Sequence, residues 1–419
     1  MYDFDTVVER AGTGAAKWDT PLAAYGAGII PLSVADMDFP APPAVVDAVA
    51  ARARHGIYGY TDLPADYFPA VADWLAGRHG WHTDPGLFVH VQRIVEAVPL
   101  LLRAETAPGD GVLVHTPYYA PTASAVGLNG RRLVESPLRY DSGRGRYEMD
   151  FAHMERAVRT EGVRALLLCS PHNPTGRVWE RAELERLAEL ALRHDLLVIS
   201  DDVYADFTGF AAPGTDRGRR HTFLASLGAD IAAATVTCVS PNKTFNLAGL
   251  EISNLHVPDP LRRERLTAAM RAAGMLNPAF FAATATLAAY REGAPWLDAL
   301  LAHLDGNLAL LRGTLAARMP GLRLVEPDGT CLAWLDCRDW AGADDARLTE
   351  LTARRARVAV SAGGSFGAGY AGYARLNLAT PRPLLDEALD RLARTYGETA
   401  GTSQGAAAAR ATGPLTAAG

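Results

Sequence analysis

From residue 88 onward the chain alternates between two patterns of apolar and polar positions. Short, almost unbroken apolar runs bounded by turn residues read as strands; longer segments with apolar residues at helical spacing read as helices. FVHV (88–91) predicts a strand and IVEAVPLLLRAE (94–105) a helix. GVLVHTP (111–117) and residues 130–135 predict two more strands, followed by a helix over 149–160. RALLLCSP (164–171) is a nearly continuous apolar run, as expected of a strand covered on both faces of its sheet. A helix over 180–195, dense in charges one turn apart, separates it from strands over 196–204 and 234–239. Strands alternating with helices predict a parallel sheet with right-handed crossovers. In such sheets ligands bind beyond the carboxyl ends of the strands.

The flanks read differently. Residues 1–30 show no regular pattern, and the prolines of IIPLSVADMDFPAPP (29–43) favour extended chain. Pro43 is placed to open a helix that runs to Gly56, and a tyrosine-rich turn covers 57–64. A second helix over 66–79 carries Phe68, Val71 and Leu75 on one face. Beyond Arg262 helices dominate, the longest over 295–318. Residues 321–336 read as a hairpin with Asp328-Gly329 at its turn. A helix over 346–358, a glycine-rich loop over 361–373, a strand over 374–379 and a helix over 382–396 follow. From Glu398 to Gly419 the composition falls to Ala, Gly, Thr and Ser, which predicts disorder. No internal repeat is evident.

Composition narrows the function classes. With 419 residues, 49% of them hydrophobic and 21% charged, the chain can bury a large core without disulfide staples. A net charge of −6, spread along the chain, lacks the clustered basic footprint of a nucleic-acid binder. No apolar run is long enough for a membrane span, and the acidic N-terminus does not resemble a signal peptide. Cys169, Cys238, Cys331 and Cys337 show neither a CxxC pair nor a zinc spacing, so no metal site is expected. They read as small buried hydrophobes of a reducing compartment, which predicts a cytoplasmic protein.

The candidate chemistry lies at the predicted strand ends. Lys243, within CVSPNKTFNLAGLEISN (238–254), follows a β-branched run and sits among hydroxyl and amide side chains. A lysine in that setting can form a Schiff base with a carbonyl cofactor, although a lone loop lysine is more often a surface group. Asp201 and Asp202 close an apolar strand, where a carboxylate needs a partner: a cofactor cation, a metal or a capped backbone amide. Tyr204 lies within reach of the same place. The proline-stiffened turn from Ser170 to Gly176 aims Asn173 outward, and Tyr118-Tyr119 offers an aromatic face. Arg375, between apolar strand residues, calls for a carboxylate from a neighbour or a substrate.

In this order the motifs resemble the fold-type I pyridoxal-phosphate (PLP) enzymes of the class I/II aminotransferase superfamily. Within it they are most similar to the cystathionine β-lyase, or C–S lyase, branch. The resemblance rests on KWD (17–19), VADMDF (34–39), YGY (58–60), SPHNPTGRVW (170–179), KTFNLAGL (243–250) and ARLNLA (374–379), and spans about residues 15–395. It implies an α/β fold: a large domain with a mostly parallel, mixed seven-stranded sheet between helices, plus a smaller α+β domain. The implied division is a segment 1–45 joining the small domain, a large PLP-binding domain 46–285, a small domain 286–397 and a tail 398–419.

The resemblance also implies roles. Lys243 would carry the cofactor as an aldimine and then remove the substrate Cα proton. Asp201 would pair with the pyridine nitrogen, Tyr204 and Asn173 with the phenolic oxygen, and Tyr119 would stack on the ring. Ser240 and the amides of Ile94 and Val95 would hold the phosphate, with Tyr60 reaching it from a second subunit of a homodimer. Arg375 would bind the substrate carboxylate, with Ala35 and Tyr60 nearby. Departures from the pattern are Arg93 where a glycine is usual, Glu251 where aminotransferases carry an arginine, and Ser33 where the branch carries tryptophan. Tyr204 and Asp202 replace the branch's histidine and glutamate. A glutamate beside a phosphate needs to face elsewhere or pair with a cation such as Arg93. The implied activity is β-elimination from L-cystathionine or a related S-substituted L-cysteine, giving thiol, pyruvate and ammonia. Two rival readings stand beside it: an aminotransferase or other PLP enzyme of secondary metabolism, and a PLP-fold protein retained as a binding module.

Overall fold

The alternating segments build one seven-stranded sheet. The structure, a computed structural model, describes residues 2–209, 220–275 and 277–411, with side chains through residue 399. The sheet order is Phe88–Val91, Ser253–His256, Thr235–Val239, Leu197–Asp201, Val163–Cys169, Gly111–Thr116, Arg132–Pro137. From Thr235–Val239 onward all neighbours are parallel, while Ser253–His256 runs antiparallel to both of its partners. The central strands are buried along nearly their whole length, and mostly apolar, because both faces are covered. Leu166, Leu168 and Val198 pack on one face with the helices Phe151–Thr160 and Arg181–Arg193. Leu167, Ile199 and Cys238 pack on the other with Ile94–Glu105 and Pro260–Ala272. Local signals set several helix starts: Pro43 opens Pro43–Arg54, and a reciprocal Glu180–Glu183 capping box opens Arg181–Arg193.

A second, antiparallel sheet has the order Arg323–Val325, Leu332–Asp336, Tyr373–Asn377, Ser361–Ala362. The long helix Ala294–Arg318 buries Trp296, Leu300, Leu304 and Leu308 in the same core. The N-terminal Ile30–Pro31 pairs in parallel with Val358–Ala359. Among the described residues no helix is long and apolar enough to cross a membrane.

The structure corrects several expectations. Residues 1–30 are not irregular throughout: Ala16–Tyr25 is a helix whose Lys17 is buried against Asp38, a partner distant in sequence. The strand expected over 196–204 stops at Asp201, and the chain turns there. A helix, Ala120–Leu128, follows directly after Tyr119. The helix expected over 346–358 is a short α-helical stretch, Asp345–Thr349, that widens into a π-turn over Glu350–Arg355. Asp328-Gly329 does not close a tight hairpin turn. The amides of both residues donate to the Gly176 carbonyl at 2.9 Å, docking this loop onto the Asn173 turn. The approach requires glycine: Gly176 has φ 71°, and a Cβ there would stand 2.5 Å from Pro327 Cβ. The last helix spans Arg382–Ala411 and so continues past Glu398, where disorder was expected to begin. Trp340 Nε1 donates to Thr399 Oγ1 at 2.8 Å, and Glu398 pairs with Arg355. Residues 412–419 of that expected tail lie outside the described residues.

Candidate active site

The strand ends converge on a cavity of about 540 Å³. It is lined by every candidate residue except Tyr60: Ala35, Ile94, Val95, Tyr119, Asn173, Asp201, Tyr204, Ser240, Lys243 and Arg375. Tyr60 is 99% exposed and stands outside it.

Lys243 sits on a single helical turn, Pro241–Thr244. Ser240 opens the turn in extended conformation; its Oγ accepts from the Asn242 amide at 3.1 Å and donates to the Ile252 carbonyl at 2.5 Å. The Lys243 Nζ donates to the Ala35 carbonyl at 2.6 Å. Burial lowers the pKa of this amine from its ordinary value, which favours the neutral, nucleophilic form. Asp201 ends the central strand Leu197–Asp201, and its carboxylate accepts a long hydrogen bond from the Val203 amide at 3.3 Å. Burial pushes its pKa up to about 7, with the Asp202 charge adding to the rise and Lys243 opposing it. A carboxylate in this state favours an added cation or N–H donor.

The two aspartates part company at the strand end. Asp201 lines the cavity, whereas Asp202 is turned away from it and pairs with His221 Nε2 at 2.8 Å, both side chains fully buried. No cluster of metal-binding side chains occurs among the described residues.

Arg375, on Tyr373–Asn377, is buried with its guanidinium 5.0 Å from the Phe366 ring centre. It donates to Asn173 Oδ1 at 3.0 Å, to the Ser33 carbonyl at 2.8 Å and to Ser361 Oγ at 3.3 Å. Its Nε has no protein partner. A buried donor on a permanent cation calls for an anionic acceptor. Tyr119 precedes the helix Ala120–Leu128, and its phenol is held in the neutral form by burial first and by the Asp201 charge second. Tyr204 is 3% exposed, and burial raises its pKa well above the ordinary value.

At the opposite end Ile94 and Val95 form the first turn of Ile94–Glu105, where backbone amides lack intrahelical partners and the helix dipole favours an anion. Arg93, the preceding residue, lines the cavity and makes an ion pair with Glu251. Glu251 does not line the cavity; it adopts the left-handed conformation, φ 56°, and is drawn to Arg93. This pairing removes the conflict that a glutamate beside an anion site would otherwise create.

Sequence reasoning missed the residues that brace the site. Asp38 is 2% exposed, accepting from Lys17 Nζ at 2.7 Å, Trp18 Nε1 at 2.8 Å and Arg10 at 2.8 Å. Asn246 has φ 59°; it accepts from the Met37 amide at 3.0 Å and donates to the Met37 carbonyl at 3.0 Å. Asn377 donates to the Val34 carbonyl at 2.8 Å. These contacts hold the 34–39 segment, and with it the Ala35 carbonyl that receives Lys243. The strings KWD, VADMDF and KTFNLAGL were the available signal, but their mutual contacts were not readable from spacing.

The donor set fits pyridoxal phosphate: an under-partnered, half-buried carboxylate for a ring N–H, a lysine amine of lowered pKa for an aldehyde, free amides at a helix start for a phosphate. Comparison with known proteins agrees. Cystathionine β-lyase PatB of Bacillus subtilis (strain 168) is 37% identical over 93% of this chain and 98% of its own length. Protein MalY of Escherichia coli (strain K12) is 32% identical over 92% of this chain and 97% of its own. Cystalysin from Treponema denticola, whose crystal structure contains a pyridoxal 5′-phosphate cofactor, superposes with a TM-score of 0.89 at 32% identity, covering 95% of this chain and 99% of its own. Residues 27–392 match the family model for aminotransferase class I and II, and the chain belongs to that PLP-dependent family.

Proposed function

We propose that this protein is a PLP-dependent carbon–sulfur lyase that eliminates the β-substituent of L-cystathionine or a related S-substituted L-cysteine. The products are a thiol, pyruvate and ammonia. The observation that carries the reading is the meeting, in one cavity, of a half-buried lysine amine, an under-partnered aspartate and an arginine with an unpaired Nε. The similarity to PatB favours elimination over amino transfer.

When bound, PLP supplies an electron sink for negative charge developing at the substrate Cα. Asp201 would hold the proton on the ring nitrogen that makes this sink effective. Arg375, pinned by Asn173 and the Ser33 carbonyl, would receive the substrate α-carboxylate on its free Nε. That anchoring would leave the Cα–H bond facing Lys243 Nζ, which would take up the proton as the free amine. The Cα electron pair then forms the Cα–Cβ double bond as the C–S bond breaks, and sulfur leaves with its bonding electrons. The proton on Lys243 Nζ is available to the departing thiolate. Water hydrolyses the remaining enamine to pyruvate and ammonia. Tyr119 would cover one ring face, Tyr204 and Asn173 would hydrogen-bond the phenolic oxygen, and Ser240 with the Ile94 and Val95 amides would receive the phosphate.

The same reading makes the enzyme a cytoplasmic homodimer. Ile57, Tyr58 and Tyr60 are 67%, 63% and 99% exposed, an apolar segment suited to a second copy whose cavity Tyr60 would complete. All four cysteines are free thiols, in keeping with a reducing compartment. The domain division 1–45, 46–285 and 286–397 belongs to the same reading. One observation favours amino transfer as the second reading: Tyr204, where the lyase branch carries histidine, lines the cavity. Incubation with L-cystathionine, and separately with amino donors plus an α-keto acid, separates the two. Thiol and pyruvate without a keto acid support the lyase; strict dependence on the keto acid assigns a transaminase.

A further inference from the structure

A carboxylate outside the cavity grips the lysine turn from behind. Asp206 is 7% exposed and accepts from Thr244 Oγ1 at 2.6 Å, His79 Nε2 at 2.8 Å and Trp74 Nε1 at 3.2 Å. Thr244 is the residue after Lys243 and the last of the turn Pro241–Thr244, while Trp74 and His79 both project from Tyr67–His79. A single helical turn does not hold its own shape in isolation, because nucleation is unfavourable and only tertiary contacts fix it. Here the fixing contact is a buried, charge-assisted hydrogen bond one residue from the reactive amine. The same buried cluster also reaches the strand end at Asp201. His221 pairs with Asp202 at 2.8 Å, its ring lies 6.1 Å from that of His79, and both rings meet Phe223 edge-on.

We propose that Asp206 is a positioning residue for Lys243: through the Thr244 hydroxyl it sets the depth and direction from which the lysine amine enters the cavity. The Ala35 carbonyl orients the tip of the side chain, and Asp206 orients its root. Catalytic alignment is sensitive to displacements of about 1 Å, so a contact on the adjacent residue is well placed to matter.

This inference rests on the reading of Lys243 as the cofactor-bearing lysine, and the test separates the two. Full-length apo protein is reconstituted with pyridoxal phosphate, and three quantities are read: the rate at which the visible band of lysine-bound cofactor appears, its circular dichroism per bound cofactor, and the melting temperature of the apo protein. Thr244→Val removes the hydroxyl at nearly constant volume, Thr244→Ser retains it, and Asp206→Asn removes the charge. The expected result for Thr244→Val is a band that forms about tenfold more slowly, of the order of one lost charge-assisted hydrogen bond, with weakened dichroism and an almost unchanged melting temperature. Thr244→Ser restores both optical readouts, and Asp206→Asn shifts them in the same direction as Thr244→Val. Wild-type optical behaviour in Thr244→Val overturns the proposal, as does failure of Thr244→Ser to rescue, or an optical loss accounted for by a proportionate fall in melting temperature. Lys243→Ala is the control: loss of the band upholds the role of Lys243, whereas its persistence defeats that role whatever Thr244 does.

Discussion

The two ends of the cavity are held in different ways. At the strand ends, Lys243 and Asp201 are held by half-buried partners, a peptide carbonyl and a backbone amide, and Asn173 and Arg375 by a buried hydrogen bond to one another. At the helix start, the charge is carried by Arg93 and Glu251, whose side chains are 53% and 29% exposed. Buried groups without full partners are costly, so the first end is committed to whatever completes it. Exposed ion pairs contribute little and are screened by salt, so the second end tolerates substitution. Two of the residues that depart from the family pattern, Arg93 and Glu251, lie at the tolerant end, whereas Ser33 and Tyr204 lie with the strand-end groups. The strand-end groups are set by largely enclosed contacts, while the charge around the helix start is set by an adjustable ion pair.

Substitutions at the two ends should therefore differ in size. Lys243→Ala at the buried end is expected to have the largest effect, a loss of kcat on the order of a thousandfold or more, because the proton acceptor has no substitute. Steady-state assay of the reconstituted variant checks it; a loss below tenfold would remove Lys243 from the chemistry. Arg375→Lys comes next. A point charge cannot reproduce the fork held by Asn173 and Ser33, so kcat/KM should fall about 50-fold, chiefly through KM.

Asp201 predicts a pH effect in the apo protein. Its folded pKa, about 7, lies above the ordinary 3.8, so between those values the folded state keeps a proton that the unfolded chain has lost. Stability from this group is fully present below 3.8 and is lost as pH rises through about 7. Asp201→Asn should flatten that decline in thermal melts taken across the window; an unchanged profile would show that Asp201 is not the group responsible. The smallest effects belong to the exposed end. Arg93→Ala should weaken PLP retention by about threefold at low salt, with the difference vanishing at high salt, and Glu251→Gln should leave retention equal or tighter. A large, salt-independent loss in Arg93→Ala would erase the contrast between the two ends.

The same contrast explains what was legible in the sequence. Of the six strands read from the sequence, the four inner ones were legible because burial on both faces demands apolar runs, and the edge strands Phe88–Val91 and Arg132–Pro137 showed as short, partly exposed stretches between turns. The seventh, Ser253–His256, reads SNLH and gives no such signal; it is buried through backbone pairing with strands on both sides. Strand-end candidates such as Asn173 and Lys243 were readable because a parallel sheet brings its carboxyl ends together, and the family resemblance supplied their expected roles. The bracing contacts were not readable. Lys17 with Asp38, Asn246 with Met37 and Thr244 with Asp206 join residues 21, 209 and 38 positions apart, and no local pattern encodes such pairings. The helix Ala16–Tyr25 went unseen because its apolar face is weak and its anchor is that buried Lys17. Arg93 and Glu251 were the exception: an acid beside an anion site demands a cation, and Arg93 was the one at hand.

Elimination is proposed to take place at the strand-end side of the cavity, around Lys243 and Asp201. Its most direct test is the stoichiometry of L-cystathionine breakdown with no keto acid present. Many turnovers are expected, with pyruvate, ammonia and thiol released in equal amounts throughout. Product formation that stops after one equivalent per active site, and resumes only when a keto acid is added, would contradict it.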